Sequence, residues 1–87
     1  MARVALLLFA AAREAAGTNR DTIEADTVGA VLEVACARYG DVFGSVLAGS
    51  RVWLDGEEPA DGDATPVTDG AEVAVLPPVS GGAVDAG

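Results

Sequence analysis

Thr27 to Gly40 reads TVGAVLEVACARYG, and this stretch decides how the rest of the chain must be arranged. The Thr27 hydroxyl can cap a helix by accepting a backbone N–H of its first turn. Val28, Val31, Leu32, Ala35 and Tyr39 then recur at helical spacing. Gly40 follows, where a helix end favours a residue without a Cβ. The spacing predicts a helix from Val28 to Tyr39 with one apolar stripe, leaving Glu33, Ala37 and Arg38 off it. A helix with a single apolar stripe must cover another layer, and here that layer is a sheet.

The strands lie on both sides of this helix. Upstream, Arg3 to Phe9 (RVALLLF) is a short continuous apolar run, expected as a strand buried on both faces at the centre of the sheet. Ala10 to Gly17 is alanine-rich and long enough for one helical turn, and Gly17 to Arg20 has turn chemistry. Asp21 to Ala25 is a second strand, antiparallel to the first. Downstream, Asp41 to Ser50 reads as a loop with room for one more turn, carrying Val42, Phe43, Val46 and Leu47. Arg51 to Leu54 is a strand followed by the hairpin signal Asp55-Gly56. The polar stretch Glu57 to Asp69 has room for a short strand, and Glu72 to Leu76 is the last strand. The class is therefore α+β, a sheet with one main covering helix. On this plan an aspartate at Leu7 or Val31 is expected to unfold the domain.

Pro77-Pro78 ends the pairing, since neither residue has an N–H to donate. The domain is expected to span residues 1–78. Residues 79–87 (VSGGAVDAG) have too little apolar mass to pack and are expected to form a flexible tail.

Composition excludes several functions. A chain of 87 residues holds one domain and buries only about 60–65% of its unfolded surface, which leaves no room for a deep polar cleft. With no histidine and one cysteine, Cys36, it has no imidazole base, no internal disulfide and few routes to a zinc site. The net charge is −9, from fourteen acidic residues against five arginines and no lysine. Such a chain is a poor ligand for nucleic acid or anionic membranes. Its acidity serves solubility or steers it to a partner with a basic surface. Without lysine it has no side chain that can receive an isopeptide bond. The apolar run Val4 to Ala12 after Arg3 is too short for a membrane span of about 20 residues. Read as a signal peptide, its removal would delete the strongest strand. The expected location is the cytoplasm.

Candidate chemical groups are few. Asp61, Asp63, Asp69, Glu57 and Glu58 sit in polar loops, where solvated charge is the plain reading. They lack the bidentate glutamate spacing of a calcium loop, so no metal is expected. Cys36 lies beside the apolar stripe in a chain with no histidine or lysine to activate a thiol, and reads as a small buried hydrophobe. Trp53 and Phe9 are either core or half-buried positions or the mark of a binding surface. The remaining candidate is the tail. Pro77-Pro78 favours an extended path away from the body. Gly81-Gly82 lacks Cβ atoms and can thread a narrow channel in a partner.

Two motifs together carry a family resemblance. Asp69 to Gly82, DGAEVAVLPPVSGG, resembles the C-terminal signature of the MoaD/ThiS-type sulfur carriers, above all the molybdopterin synthase small subunit. Leu7 to Gly17, LLFAAAREAAG, resembles the family's first strand and its Phe-Ala-x-x-Arg-Glu-x-x-Gly loop. Thr27-Val28-Gly29 is similar to its helix start. The resemblance spans residues 3–82. It implies a ubiquitin-like β-grasp fold with the first and last strands parallel neighbours.

The resemblance also implies a function. The chain would not be an enzyme on its own but the sulfur-carrying subunit or co-substrate of a sulfurtransferase. Gly82 would bear an acyl-adenylate and then a thiocarboxylate, with Gly81 letting the tail thread. Pro77, Pro78, Val79 and Phe9 would meet partners. Those partners would be a MoeB/ThiF-like adenylating enzyme and a MoaE-like large subunit of molybdopterin synthase. The carrier binds no cofactor; ATP is used by the activating enzyme. Members of this type end at the second glycine, whereas Ala83 to Gly87 follow here. Those five residues add about 17 Å of reach at about 3.3 Å each, and removal by a metalloprotease is expected before use. Two alternatives stay open: a carrier for another pathway (cysteine, thiolated tRNA or a natural product), and a β-grasp binding module that carries no sulfur.

Overall fold

The computed structural model describes residues 1–78. It contains β1 (Ala2–Leu8), α1 (Ala10–Ala16), β2 (Arg20–Ala25), α2 (Val28–Tyr39), α3 (Asp41–Ala48), β3 (Arg51–Leu54), a 3-10 turn (Gly62–Ala64) and β4 (Glu72–Leu76). The strands form one mixed sheet in the order β2-β1-β4-β3. β1 pairs antiparallel with β2 and parallel with β4, and β3 pairs antiparallel with β4. This is the α+β, ubiquitin-like β-grasp plan, with the first and last strands side by side at the centre.

α2 has the bounds its periodicity predicts. The Thr27 Oγ1 accepts the Ala30 N–H at 3.1 Å, satisfying one of the donors that a helix start leaves unpaired. Val28, Val31, Leu32 and Ala35 are buried against the sheet, while Tyr39 is half-buried at the end of the stripe. Facing them are Val4, Leu6, Leu8, Ile23, Val73 and Val75, alternate residues of three strands. Each fully buried Val or Leu contributes about 1.5–3 kcal/mol of hydrophobic transfer.

Five expectations change. β1 is not buried on both faces: only Val4, Leu6 and Leu8 reach the core, and Leu7 lies half-exposed on the other side. The helices cover one face of the sheet only, so an unbroken apolar run here records a core face and a second, uncovered apolar face. Phe9 falls just past the strand, as the N-cap of α1. Ala10 to Gly17 forms a seven-residue helix rather than one turn, closed by Gly17 at φ 78°. Asp41 to Ser50 is not a loop, because α3 runs from Asp41 to Ala48 and drives Phe43 fully into the core. The Phe43 ring centroid lies 5.2 Å from that of Tyr39. No short strand forms between Glu57 and Asp69. That stretch holds the 3-10 turn and two isolated bridges, Thr27 with Pro66 and Leu54 with Glu57.

Candidate functional site

Strand direction places the chain's exit. Because β1 and β4 are parallel, with Leu8 opposite Val75, both strands end at the same pole of the sheet. There β1 runs into Phe9, which is 45% exposed, and β4 into Leu76, 36% exposed. Pro77 is half-buried and Pro78 exposed, so the chain leaves the sheet beside Phe9. Val79, Gly81 and Gly82, with the rest of the tail at 79–87, lie outside the described residues.

The uncovered face of the sheet leads to this exit. Trp53 pairs with Ala74, Ala74 with Leu7, and Leu7 with Arg20, so these four form one row across all four strands. Leu7, Trp53 and Ala74 are half-buried there. Arg51 pairs with Leu76 one step nearer the exit. Leu7, Leu8, Phe9, Arg13, Asn19 and Arg20 line a shallow cleft of about 240 Å³ beside it. Among the described residues, Arg13 and Arg20 take part in no ion pair. The pole therefore presents apolar side chains edged by guanidinium groups. Toward the other end of the strands the same face turns polar, with Arg3, Thr22, Glu24 and Glu72. Such a surface suits a partner with an apolar patch bordered by carboxylates.

Of the residues expected to meet partners, Phe9 follows β1 and Pro77 and Pro78 follow β4 at the same pole of the sheet. Trp53 is half-buried and joins them on the open face rather than entering the core. Sequence reading missed Leu7, Ala74 and Leu76. The strict alternation of β4, Glu72-Val73-Ala74-Val75-Leu76, held the signal for two of these.

The other candidates stay apart. Glu57, Glu58, Asp61 and Asp69 are exposed loop residues, and Asp63 is exposed in the 3-10 turn. No group of three possible metal ligands occurs among the described residues. Cys36 is half-buried on α2, on the helix side of the sheet and away from the exit. The perturbed titrating groups, Asp21, Arg38 and Tyr39, join β2 to α2. Among the described residues no helix is long and apolar enough to cross a membrane.

The ThiS family model matches residues 6–82, almost the whole chain. The chain belongs to the ThiS family. These are ubiquitin-like sulfur carriers of the MoaD/ThiS type. No curated protein matches the chain in sequence. Among solved structures, small archaeal modifier protein 1 of Methanosarcina acetivorans is 29% identical with a TM-score of 0.84, covering 93% of this chain and 97% of its own. The HVO 2177 protein of Haloferax volcanii is 32% identical with a TM-score of 0.75, over 92% of this chain and 86% of its own. A chain in the complex of subunits 1 and 2 of molybdopterin-converting factor from Helicobacter pylori shares the fold at 20% identity, with a TM-score of 0.67 over 91% of this chain and 97% of its own. In this member of the ThiS family, the shared region stops at Gly82 and leaves Ala83 to Gly87 beyond it.

Proposed function

We propose that this chain carries sulfur on Gly82, after removal of Ala83 to Gly87, and delivers it to a molybdopterin precursor during molybdenum cofactor synthesis. The observation that carries the reading is that the family match ends at Gly82, six residues beyond Leu76, where β4 ends at the exposed apolar pole of the sheet.

The chemistry follows from the poor reactivity of a free carboxylate. An adenylating enzyme of the MoeB/ThiF type lets the Gly82 carboxylate attack the α-phosphorus of ATP, giving an acyl-adenylate and pyrophosphate. A persulfide then attacks the acyl carbon and expels AMP. A thiol then attacks the donor's sulfur in the resulting acyl disulfide, forming a new disulfide with the donor and releasing Gly82 as a thiocarboxylate. In the whole chain Gly82 is held in a peptide bond to Ala83 and has no carboxylate to activate. A trimming protease is therefore part of the proposal. Phe9, Pro77, Pro78 and Val79 meet the partners, and Gly81 and Gly82 enter their channels without side chains. A large-subunit partner of the MoaE type is supported by the fold shared with the Helicobacter complex.

A second reading, a carrier or modifier serving another acceptor, is favoured by the 29% identity to small archaeal modifier protein 1. Whatever the acceptor, this chain offers no lysine and acts only as donor toward lysine side chains. Co-purification from its own cells separates the two. Recovery of a molybdopterin synthase large subunit with the trimmed form supports the first. Recovery of conjugates on foreign lysines, without that subunit, supports the second.

A further inference from the structure

The two edges of the sheet are finished differently. On β2 the backbone groups that point away from β1 belong to Arg20, Thr22 and Glu24, as the Leu8 N–H to Asn19 C=O bond and the register require. The Thr18 hydroxyl takes the Arg20 N–H at 3.4 Å and donates to its C=O at 3.0 Å. Asp21 takes the Thr22 N–H at 2.8 Å, and Arg38 donates to the Thr22 C=O at 3.3 Å. Only Glu24 is left, with Arg3 3.6 Å from its carboxylate. Side chains thus close most of an edge that would otherwise invite another strand.

On β3 the Asp55 N–H donates to the Glu72 C=O at 2.8 Å, which turns Arg51 and Trp53 toward β4, and Val52 and Leu54 away. Leu54 satisfies both its groups with Glu57, at 2.7 and 3.0 Å. The Val52 N–H and C=O have no partner among the described residues. Val52 also lines a groove of about 880 Å³ between α2, α3, β3 and the 3-10 turn. Leu32, Cys36, Leu47 and Val52 give it an apolar floor, Glu33 and Asp63 are its charged residues, and no arginine lines it.

We propose that this groove is a second docking site, for an extended basic segment of a partner protein. The segment adds to β3 through the two Val52 backbone groups, rests its apolar side chains on Leu32 and Leu47, and meets Glu33 and Asp63 with lysine or arginine. The groove lies on the helix side of the sheet. A partner held there leaves the open face and the chain's exit accessible, so carrier and recruiting partner stay joined while the tail is used.

The probe is a capped pentapeptide with arginine at each end and valine–leucine–valine between, set against the same peptide with glutamate at each end. The arginine peptide should produce saturable amide shifts at Ser50, Val52 and Cys36. It should also slow iodoacetamide alkylation of Cys36, the single thiol, several-fold; the glutamate peptide should do neither. Val52→Pro removes an N–H that the β3–β4 ladder does not use and should abolish binding in a folded protein. Glu33→Gln with Asp63→Asn keeps the backbone intact and should weaken binding about three- to tenfold. Absence of saturable shifts, equal binding of both peptides, or shifts confined to Leu7, Phe9 and Trp53 would overturn the proposal. None of these readouts depends on sulfur transfer.

Discussion

Arg38 donates through Nη1 to Asp21 Oδ2 at 2.7 Å across 17 positions of sequence, tying the end of α2 to the edge of β2. Tyr39 Oη donates to the same oxygen. The Tyr39 hydrogen bond first, then Arg38, hold the Asp21 carboxyl below its ordinary 3.8, against the opposing pull of desolvation. Burial, reinforced by Asp21, pushes the Tyr39 hydroxyl up to about 12. The signs differ at the two ends of the pH scale. Asp21 contributes stability above its unfolded pKa, and this is lost as pH falls through the lower folded value. Tyr39 contributes stability below its unfolded value of 10.0, and this is lost as pH rises through about 12. Tyr39→Phe should cost about 1 kcal/mol at neutral pH. Urea melts should show that gap closing in strong acid and strong alkali; a gap independent of pH would contradict the linkage.

Gly29 is required by contact rather than by backbone freedom. A Cβ there would lie 2.9 Å from the Asp63 Cβ and 3.0 Å from its carbonyl oxygen. Gly29→Ala should gain about 1 kcal/mol in helix propensity but lose about 1–3 kcal/mol to overpacking. A lowered thermal midpoint is expected, and a raised one would mean that the 3-10 turn yields freely.

Two aspartate substitutions should part company. Val31 is fully buried, so Val31→Asp buries an unpaired carboxylate at a cost of several kcal/mol. Total stability is only about 5–15 kcal/mol, and the domain should unfold. Leu7→Asp falls on the open face and should leave a folded protein by circular dichroism. Phe43→Ala should cost about 3–5 kcal/mol in a urea melt, which a loop at 41–50 would not.

Those contrasts mark what the sequence could tell. Thr27, the stripe from Val28 to Tyr39 and Gly40 specify α2 without reference to anything distant, because cap and period are local. Glu72 to Leu76 alternates and is read as easily. Leu7 misled because three leucines in a row carry no period, and only the placement of every helix on one side reveals which of them face the core. Phe43 was hidden in a short segment interrupted by Gly44, whose helix is held by full burial of that ring with Val46 and Leu47 packed partly buried beside it. The family motif ending at Gly82 was legible, but the row from Trp53 to Arg20 exists only once four strands are in register.

Phe9 and Leu76 expose apolar surface at the pole where the chain leaves the sheet. Phe9→Ala with Leu76→Ala should keep the melting profile close to the parent's and weaken binding to the adenylating enzyme at least tenfold by calorimetry, as loss of central apolar contacts does. Unchanged affinity would move the docking surface elsewhere.

The central claim is that Gly82 is the sulfur-bearing residue. Protein ending at Gly82 and the whole chain are each incubated with ATP, the adenylating enzyme of the source cell and a persulfide donor, then weighed intact by mass spectrometry. The trimmed protein should gain the mass difference between one sulfur and one oxygen, with the change confined to the C-terminal peptide, and the whole chain should not change. Sulfur appearing on Gly87 of the whole chain, or a trimmed protein that stays unmodified, would contradict the account.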